Sequence, residues 1–100
     1  MSKIALFPGT FDPFTLGHLD IVNRGLTMFD EVVVAIGVNT GKKHMFSLEQ
    51  REQWVNELFE NEPRVSVASY EGLTAKFAEQ IGAQFILRGL RTTQDFTYEK

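Results

Sequence analysis

Residues 3–18 read KIALFPGTFDPFTLGH, a short apolar run that passes through a loop with proline and glycine into a helical pattern. Residues 3–7 have the length and composition of a buried strand, and Pro8-Gly9 is expected to end it. From Gly17 to Phe29 the apolar residues recur at the spacing of one helix face. The stretch therefore predicts a strand and a helix joined by a loop that carries glycine, hydroxyl and imidazole groups.

The same alternation of strand and helix patterns continues along the chain. Residues 31–37 contain VVVAI, which is typical of a strand buried on both faces. Ser47 is expected to open a second helix, with Gln50 in a capping box. The apolar stripe of that helix is predicted to be Trp54, Val55, Leu58 and Phe59. We predict next a strand over 64–68, a helix over 73–81 that ends at Gly82, a strand over 84–87, and a last helix capped by Thr92 or Thr93.

This order predicts the fold class. Strands that alternate with helices of about three turns imply crossover connections and a parallel sheet. We therefore predict an α/β fold with a Rossmann-like open parallel sheet and helices on both faces. No linker, internal repeat or low-complexity segment interrupts the chain, so residues 1–100 are predicted to form a single domain.

Composition narrows the function classes. The 100 residues are 43% hydrophobic and 23% charged, which is ordinary for a small globular domain. A net charge of −3 argues against a nucleic-acid or membrane-surface partner, which normally needs a basic stripe. The absence of cysteine excludes disulfides and thiolate metal sites. Without a signal-peptide pattern or an apolar span, we expect a cytoplasmic protein.

Polar residues able to bind an anion follow each predicted strand. In an open parallel sheet, ligands bind beyond the carboxyl ends of the strands, near the point where strand order reverses. Gly9 allows close approach of backbone, Thr10 offers a hydroxyl and an amide, and His18 lies at a helix start that favours phosphate. The later loops are NTGKK at 39–43, SYEG at 69–72 and RGLR at 88–91. The sequence therefore predicts a polyphosphate site, although GTFDP could be only a turn and His18 only a surface residue.

Two common nucleotide motifs are missing. The dinucleotide fingerprint G-x-G-x-x-G does not occur, and neither does the P-loop pattern G-x-x-x-x-G-K-[ST]. Residues 37–42 contain glycines and a lysine, but at the wrong spacing. Neither a dehydrogenase nor a P-loop kinase is favoured.

The motifs that are present resemble a known superfamily. GTFDP at 9–13 and TLGH at 15–18 are similar to the signature of the nucleotidylyltransferases, the [HT]-x-G-H motif, with Thr15 in its first position. Lys42, RGLR at 88–91 and DFTYE at 95–99 resemble the phosphopantetheine adenylyltransferase family within it. The resemblance implies transfer of the adenylyl group of ATP to 4′-phosphopantetheine, giving dephospho-coenzyme A and pyrophosphate. It also implies Mg²⁺ held mainly through ATP phosphates, and a homo-oligomer, typically a hexamer in bacteria.

The resemblance also implies roles for individual residues. His18 would contact the α-phosphate of ATP, Thr10 would orient the attacking phosphate, and Lys42 would bridge that phosphate and the reacting centre. The implied catalytic residues are Thr10, His18, Lys42 and Arg91; the implied ATP contacts are Thr10, Phe11, His18, Gly89, Leu90, Arg91 and Glu99; the implied acceptor contacts are Thr10, Lys42, Thr74 and Arg88. No residue is implied as a metal ligand. Alternatively, Arg88 and Arg91 are solvated or paired with Asp95 or Glu99.

One expectation and two alternative functions concern the whole chain. Family members usually continue past Lys100 into a further strand and an Ile-Ser-Ser-[TS]-like segment, so we expect residues 1–100 to be the N-terminal portion of the family's domain. Another nucleotidylyltransferase with a different acceptor or nucleotide would share the first loop. A non-catalytic nucleotide-binding fragment would keep the pocket without turnover.

Overall fold

The computed structural model describes residues 2–38, 41 and 43–88 of the chain. Strands and helices alternate in it, as the sequence predicts. The elements are β1 (Ile4–Gly9), α1 (Leu16–Gly25), β2 (Glu31–Gly37), α2 (Leu48–Leu58), β3 (Val65–Tyr70), α3 (Thr74–Ile81) and β4 (Phe85–Ile86). The predicted last helix from Thr92 or Thr93 lies outside the described residues.

The described strands form one parallel sheet in the order β3-β2-β1-β4. The chain moves outward from β1 to β2 and β3, then crosses back to place β4 on the other side of β1. The strand order therefore reverses at β1, which pairs with β2 from Ile4 to Gly9 and with β4 through Ala5 and Leu6. This reversal makes the carboxyl end of β1 the expected place for a ligand.

Side chains alternate between the two faces of the sheet, and each face has its own core. On one face Phe7 and Val34 pack with Val22 of α1 and Val55 of α2. On the other face Leu6 packs with residues of α3. The prediction of helices on both faces is therefore confirmed. The alternation also explains why β2 is apolar from Val32 to Ile36, since these residues are buried on both sides of the sheet.

The first strand continues two residues beyond its predicted end and includes Pro8 and Gly9. Proline is rare inside a sheet because it has no N–H to donate. The carbonyl of Leu6 accepts from the N–H of Leu87, so the backbone polar groups of Leu6 point toward β4. The backbone of Pro8, two residues further on, is turned to the same neighbouring strand, but Pro8 lies beyond the last residue of β1 that pairs with β4. Its missing N–H therefore removes no bond of this ladder.

Two predictions about the helices were wrong in detail. The first helix ends at Gly25 rather than Phe29, because the chain tightens into a turn there: the N–H groups of Thr27 and Met28 donate to carbonyls three residues back, those of Arg24 and Gly25, at 3.1 and 3.0 Å. In α2, Val55 and Phe59 are buried, but Trp54 and Leu58 of the predicted stripe are exposed.

The other end signals agree more closely with the structure. Ser47 caps α2 by accepting from the Gln50 N–H at 3.1 Å. Gly82 ends α3 with φ +77°, a conformation that favours glycine. The third strand is shifted to Val65–Tyr70, and β4 is shorter than predicted.

Candidate functional site

A cavity of about 580 Å³ opens at the carboxyl ends of the first three strands. Most of its lining residues are small, and three of them have hydroxyl side chains: Thr10, Tyr70 and Thr74. The lining residues are Pro8, Gly9, Thr10, Gly37, Val38, Tyr70, Gly72 and Thr74. The structure therefore brings together the loops after the first and third predicted strands. Two of the residues predicted to contact the acceptor, Thr10 and Thr74, line one space.

The turn after β1 is held in an uncommon backbone conformation. Phe11 has φ +51°, although its side chain is large. Its ring is 3% exposed and packs edge-on against Phe7, with ring centroids 5.0 Å apart. A Cβ on Gly9 would lie 2.9 Å from the Phe11 ring, so glycine is needed here because the ring lies over it. Burial of the ring leaves only the backbone of Phe11 available for the predicted contact with ATP.

The helix that follows begins with a capping box in which histidine takes the place of the usual Glu or Gln. The Thr15 hydroxyl accepts from the His18 N–H at 3.3 Å, and the Thr15 N–H donates to Nδ1 of His18 at 2.9 Å. Because Nδ1 accepts a backbone N–H, the neutral ring carries its proton on Nε2. His18 is therefore oriented as a hydrogen-bond donor through Nε2.

Aromatic side chains surround the His18 ring. Its centroid lies 4.9 Å from that of Phe11, 5.2 Å from that of Phe14 and 6.0 Å from that of Phe7. Burial among these rings lowers the pKa of His18 below its ordinary 6.5, because removal from water penalises the charged form. The imidazole is therefore neutral at pH 7, and its Nε2–H can donate to a phosphate oxygen without a formal charge.

The start of α1 is open to an anion next to this ring. The N–H groups of Leu16 and Gly17 belong to the first turn, where a helix offers no carbonyl partner. Gly17 is exposed, and the nearest atom to a Cβ built on it is the Thr15 hydroxyl oxygen at 3.6 Å. The described protein thus leaves room for a side chain at 17. Unfilled N–H groups and the helix dipole make this end suited to phosphate.

Two residues that the sequence did not single out tie the first loop to α2. Arg51, only 3% exposed, donates from Nη1 to the Thr10 carbonyl at 2.8 Å. Asp12 accepts from the N–H groups of Met45 and Phe46, the latter at 2.8 Å. The sequence does mark Arg51 as unusual, because it falls between Leu48 and Val55 on the inner face of the helix. An arginine on such a face needs buried partners.

Opposing effects act on the Asp12 carboxyl. Burial raises its pKa, but the two backbone N–H donors lower it, and so do the charges of Arg51 and His44. The net result is a pKa below the usual 3.8. Asp12 is therefore ionised at neutral pH and acts as a fixed acceptor for the segment before α2.

The opposite wall of the cavity carries a pair of hydroxyl groups. The Tyr70 hydroxyl lies 2.7 Å from the Thr74 Oγ1, and the Tyr70 ring stacks on Phe77 with centroids 4.9 Å apart. The stacking fixes the ring, so the hydroxyl pair has a defined place at the start of α3. Tyr70 was quoted in a loop of the sequence but not predicted as a site residue; in the structure it ends β3.

The remaining predicted site residues are placed as follows. Arg88 is exposed directly after the buried Leu87, and neither Arg88 nor His18 lines the cavity of Thr10 and Thr74. His18 adjoins that cavity through Phe11, which follows Thr10 in the chain. The predicted roles of Lys42, Gly89, Leu90, Arg91 and Glu99 fall on positions outside the described residues and stay predictions, as do the roles of the described ones.

The part of the chain that the structure describes holds neither a cluster of metal ligands nor a membrane-spanning helix. Within residues 2–38, 41 and 43–88, no three His, Cys, Asp or Glu side chains converge into a group that could hold a metal ion. None of the described helices has the length and apolarity needed to cross a membrane.

The fold and the sequence have counterparts in a known protein class. Residues 6–100 match the family described as cytidylyltransferase-like. Since that match covers nearly the whole sequence, the chain belongs to this family.

Two bacterial relatives point to a narrower group within this family. The chain is 58% identical over 96 residues to the phosphopantetheine adenylyltransferase of Flavobacterium psychrophilum, covering 96% of this chain and 64% of that protein. It is 59% identical over 96 residues to the protein of the same name from Flavobacterium johnsoniae, covering 96% of this chain and 63% of that protein. The predicted resemblance is therefore confirmed. The chain spans a little less than two thirds of the length of these relatives.

A solved structure supports the fold independently. The lipopolysaccharide core biosynthesis protein of Thermoplasma volcanium superposes with a TM-score of 0.66 at 23% identity, over 86% of this chain and 73% of that one. This likeness concerns the fold alone, and it confirms the predicted open α/β architecture.

Proposed function

We propose that the protein transfers the adenylyl group of ATP to 4′-phosphopantetheine, giving dephospho-coenzyme A and pyrophosphate. The observation that carries the proposal is the identity of 58% over 96 residues to a relative named phosphopantetheine adenylyltransferase. The geometry of the first loop supports it, because a neutral imidazole donor and an open helix start lie beside a cavity with hydroxyl groups.

The chemistry requires two anions to meet. An oxygen of the acceptor phosphate attacks the α-phosphorus of ATP, and the bond from that phosphorus to the bridging oxygen of the β-phosphate breaks as pyrophosphate leaves. The acceptor phosphate is already ionised at neutral pH, so no general base is needed. Catalysis then rests on positioning and on donors aimed at the charge that develops at the α-phosphate.

His18 is suited to donate a hydrogen bond to the charge that develops at the α-phosphate. Its Nδ1 is occupied by the Thr15 N–H, so Nε2–H is the group that faces a ligand. The helix start at Leu16 and Gly17 adds backbone donors and the positive end of the helix dipole. In this proposal His18 donates to an α-phosphate oxygen, and the donation strengthens as charge builds up in the transition state.

Thr10 is suited to position the acceptor phosphate. It lines the cavity together with its neighbour Gly9. In this proposal the Thr10 hydroxyl and N–H orient the acceptor phosphate, and the acceptor's arm runs along the cavity past Thr74. The predicted partners Lys42 and Arg88 would add positive charge around that phosphate.

Mg²⁺, oligomeric state and compartment are part of the same proposal. The donors around the described site are hydroxyl and N–H groups rather than carboxylates, which suits a Mg²⁺ ion that arrives on the phosphates of ATP and keeps its waters. When bound, the ion would neutralise charge on the triphosphate. We further propose a cytoplasmic homo-oligomer that has neither a nucleic-acid nor a membrane partner.

Pyrophosphate release tests the proposal directly. The complete protein is mixed with ATP, Mg²⁺ and 4′-phosphopantetheine, and release is followed with and without the acceptor. A His18→Ala variant serves as the matched control, and its fold is checked by circular dichroism. We expect release that depends on the acceptor and falls by about 10²–10³-fold in the variant, the usual cost of removing one such donor.

Substitution of each reactant separates the alternatives. Turnover with CTP in place of ATP, or with nicotinamide mononucleotide in place of 4′-phosphopantetheine, would identify another nucleotidylyltransferase. Binding of ATP by calorimetry without any pyrophosphate release would overturn the catalytic proposal and indicate a binding module.

A further inference from the structure

We infer that Arg51 is a positioning residue: it holds the turn that carries Thr10 and thereby sets where the Thr10 hydroxyl and N–H meet the acceptor phosphate. The inference rests on the proposed function. It adds a residue of α2, remote in sequence from the first loop, to those on which the reaction depends.

The side chain of Arg51 contacts two separate segments of the chain. Its guanidinium donates to three backbone carbonyls: Nε to Phe46 at 3.1 Å and to Ser47 at 3.3 Å, and Nη1 to Thr10 at 2.8 Å. The first two carbonyls belong to the start of α2, and the third belongs to the loop after β1. The residues joined by the third bond are 41 positions apart in the chain. Arg51 therefore links two separate loops at the edge of the sheet.

Burying the charge of Arg51 costs free energy. Arg51 is 3% exposed, and it is the one buried polar or charged side chain within the described ranges. Removing a guanidinium from water is unfavourable unless its N–H groups find acceptors. An apolar side chain would fill the inner face of α2 without that cost. The planar fork of arginine can instead reach carbonyls in two directions at once, which a lysine cannot do.

The bond from Arg51 to Thr10 holds a turn that has an uncommon backbone conformation. The Thr10 carbonyl precedes Phe11, which has φ +51°, a conformation that costs energy for a large side chain. Such a turn persists only when its surroundings fix it. The Phe11 ring fixes one side by packing over Gly9, and the bond from Arg51 fixes the carbonyl on the other. Asp12 adds a second link between the same two segments.

Together these contacts determine the direction of the peptide group between Thr10 and Phe11. The carbonyl is engaged by Arg51, while Thr10 itself lines the cavity. If the carbonyl were released, the Thr10–Phe11 peptide would be free to rotate, and the backbone of Thr10 that carries the hydroxyl would no longer be held by this bond. Because the acceptor phosphate must lie in line with the α-phosphorus, a misplacement of about 1 Å can cost about 10²-fold in rate.

The test compares Arg51→Gln and Arg51→Lys with Arg64→Gln in the complete protein. Arg64 is exposed and pairs with Glu62, outside the proposed machinery, so its variant controls for loss of an arginine. Arg51→Lys keeps the charge and most of the side-chain volume, so it provides a folded variant if the glutamine variant is unstable. Each variant is measured for thermal stability, for kcat of pyrophosphate release, and for hydrogen exchange by mass spectrometry.

The expected kinetic result is a loss that depends on Thr10. Arg51→Gln and Arg51→Lys each lower kcat by about 10²-fold, while Arg64→Gln leaves it unchanged. Each Arg51 variant is then combined with Thr10→Ala. If Arg51 acts through Thr10, the double variant loses far less than the product of the two single losses. A full product, with kcat corrected for the folded fraction, would overturn the inference and leave Arg51 a residue of stability alone.

Hydrogen exchange gives a readout that does not need turnover. In the Arg51 variants, peptides that cover residues 8–14 and 43–50 should exchange faster, while those that cover β2 and β3 should be unchanged. Unchanged exchange at 8–14 would overturn the inference. If the wild-type protein released no pyrophosphate, the proposed function and the catalytic purpose of Arg51 would both fail. Hydrogen exchange would still decide whether Arg51 holds the turn.

Discussion

Nδ1 of His18 lies 2.9 Å from the backbone nitrogen of Thr15 and 3.1 Å from its hydroxyl oxygen. One threonine therefore both caps α1 and orients the His18 ring. This relationship gives a physical reason for the fixed spacing of TLGH at 15–18, because only the third residue after the cap can reach back to it. The motif combines a helix start with a positioned imidazole.

Replacing Thr15 by alanine should weaken both functions of the cap. The Thr15→Ala variant loses the hydroxyl that accepts the His18 N–H, at a cost of about 1 kcal/mol in the free energy of unfolding. The backbone bond to Nδ1 remains, so we expect kcat to fall only by about tenfold, equivalent to about 1.4 kcal/mol. Urea denaturation and steady-state kinetics measure the two effects. Thr15→Ser keeps the hydroxyl and should behave like the wild type; equal losses in both variants would contradict this role.

The tautomer of His18 predicts which replacement retains activity. A glutamine can place its amide N–H near the position of Nε2, whereas an asparagine is shorter and imitates Nδ1. We therefore expect the kcat of pyrophosphate release to decrease in the order wild type, His18→Gln, then His18→Asn and His18→Ala. A higher kcat for His18→Asn than for His18→Gln would show that the reacting donor is not on Nε2. Binding of ATP, measured by calorimetry, should change less than kcat does, since the donation strengthens in the transition state.

The lowered pKa of His18 predicts a pH dependence of stability. Burial among the aromatic rings places its folded pKa below 6.5, so near that pH the unfolded chain binds the proton more readily than the folded one. Stability rises with pH wherever the unfolded state binds more protons. The contribution is therefore fully present above pH 6.5 and is lost as the pH falls through the folded pKa.

Urea denaturation at pH 7 and at successively lower pH measures this effect. The wild type should lose more stability on acidification than His18→Gln does, because the other titrating groups are common to both proteins. Parallel curves for the two proteins would mean that the pKa of His18 is not shifted by its surroundings.

Some of these features follow from local patterns, and others do not. The alternating faces of β2, the cap at Ser47 and the stop at Gly82 were predictable, because each depends on residues a few positions apart. The ends of α1 were harder to predict. Phe29 continues the helical spacing only because a turn after Gly25 brings it back to the same core.

The links made by Arg51 and Asp12 could not be predicted for a different reason. Their partners are backbone carbonyl and N–H groups at separations of 41 and 34 residues. Every residue carries such groups, so no residue type marks the acceptor in the sequence. Only the donor can be recognised in the sequence, as an arginine on the inner face of α2.

The two glycines of α1 predict opposite effects of the same substitution. A Cβ on Gly25 would lie 2.8 Å from Cδ1 of Leu87 and 3.3 Å from Cγ2 of Val32, and both neighbours are buried in the core. Because neither can move aside freely, Gly25→Ala should lower the free energy of unfolding by about 1–3 kcal/mol. Its fully folded fraction should retain the kcat of the wild type, since the clash lies at the end of α1 remote from His18.

Gly17→Ala is the matched variant in the same helix. A Cβ there approaches only the Thr15 hydroxyl oxygen, at 3.6 Å, so the folded chain tolerates it and helix propensity gains up to about 1 kcal/mol. If the open start of α1 receives the phosphates of ATP, the added methyl occupies their space. We then expect unchanged or higher thermal stability together with weaker ATP binding and lower kcat. A stable Gly17→Ala protein with wild-type affinity for ATP would mean that the phosphates lie elsewhere, and the proposed role of the helix start would have to be abandoned.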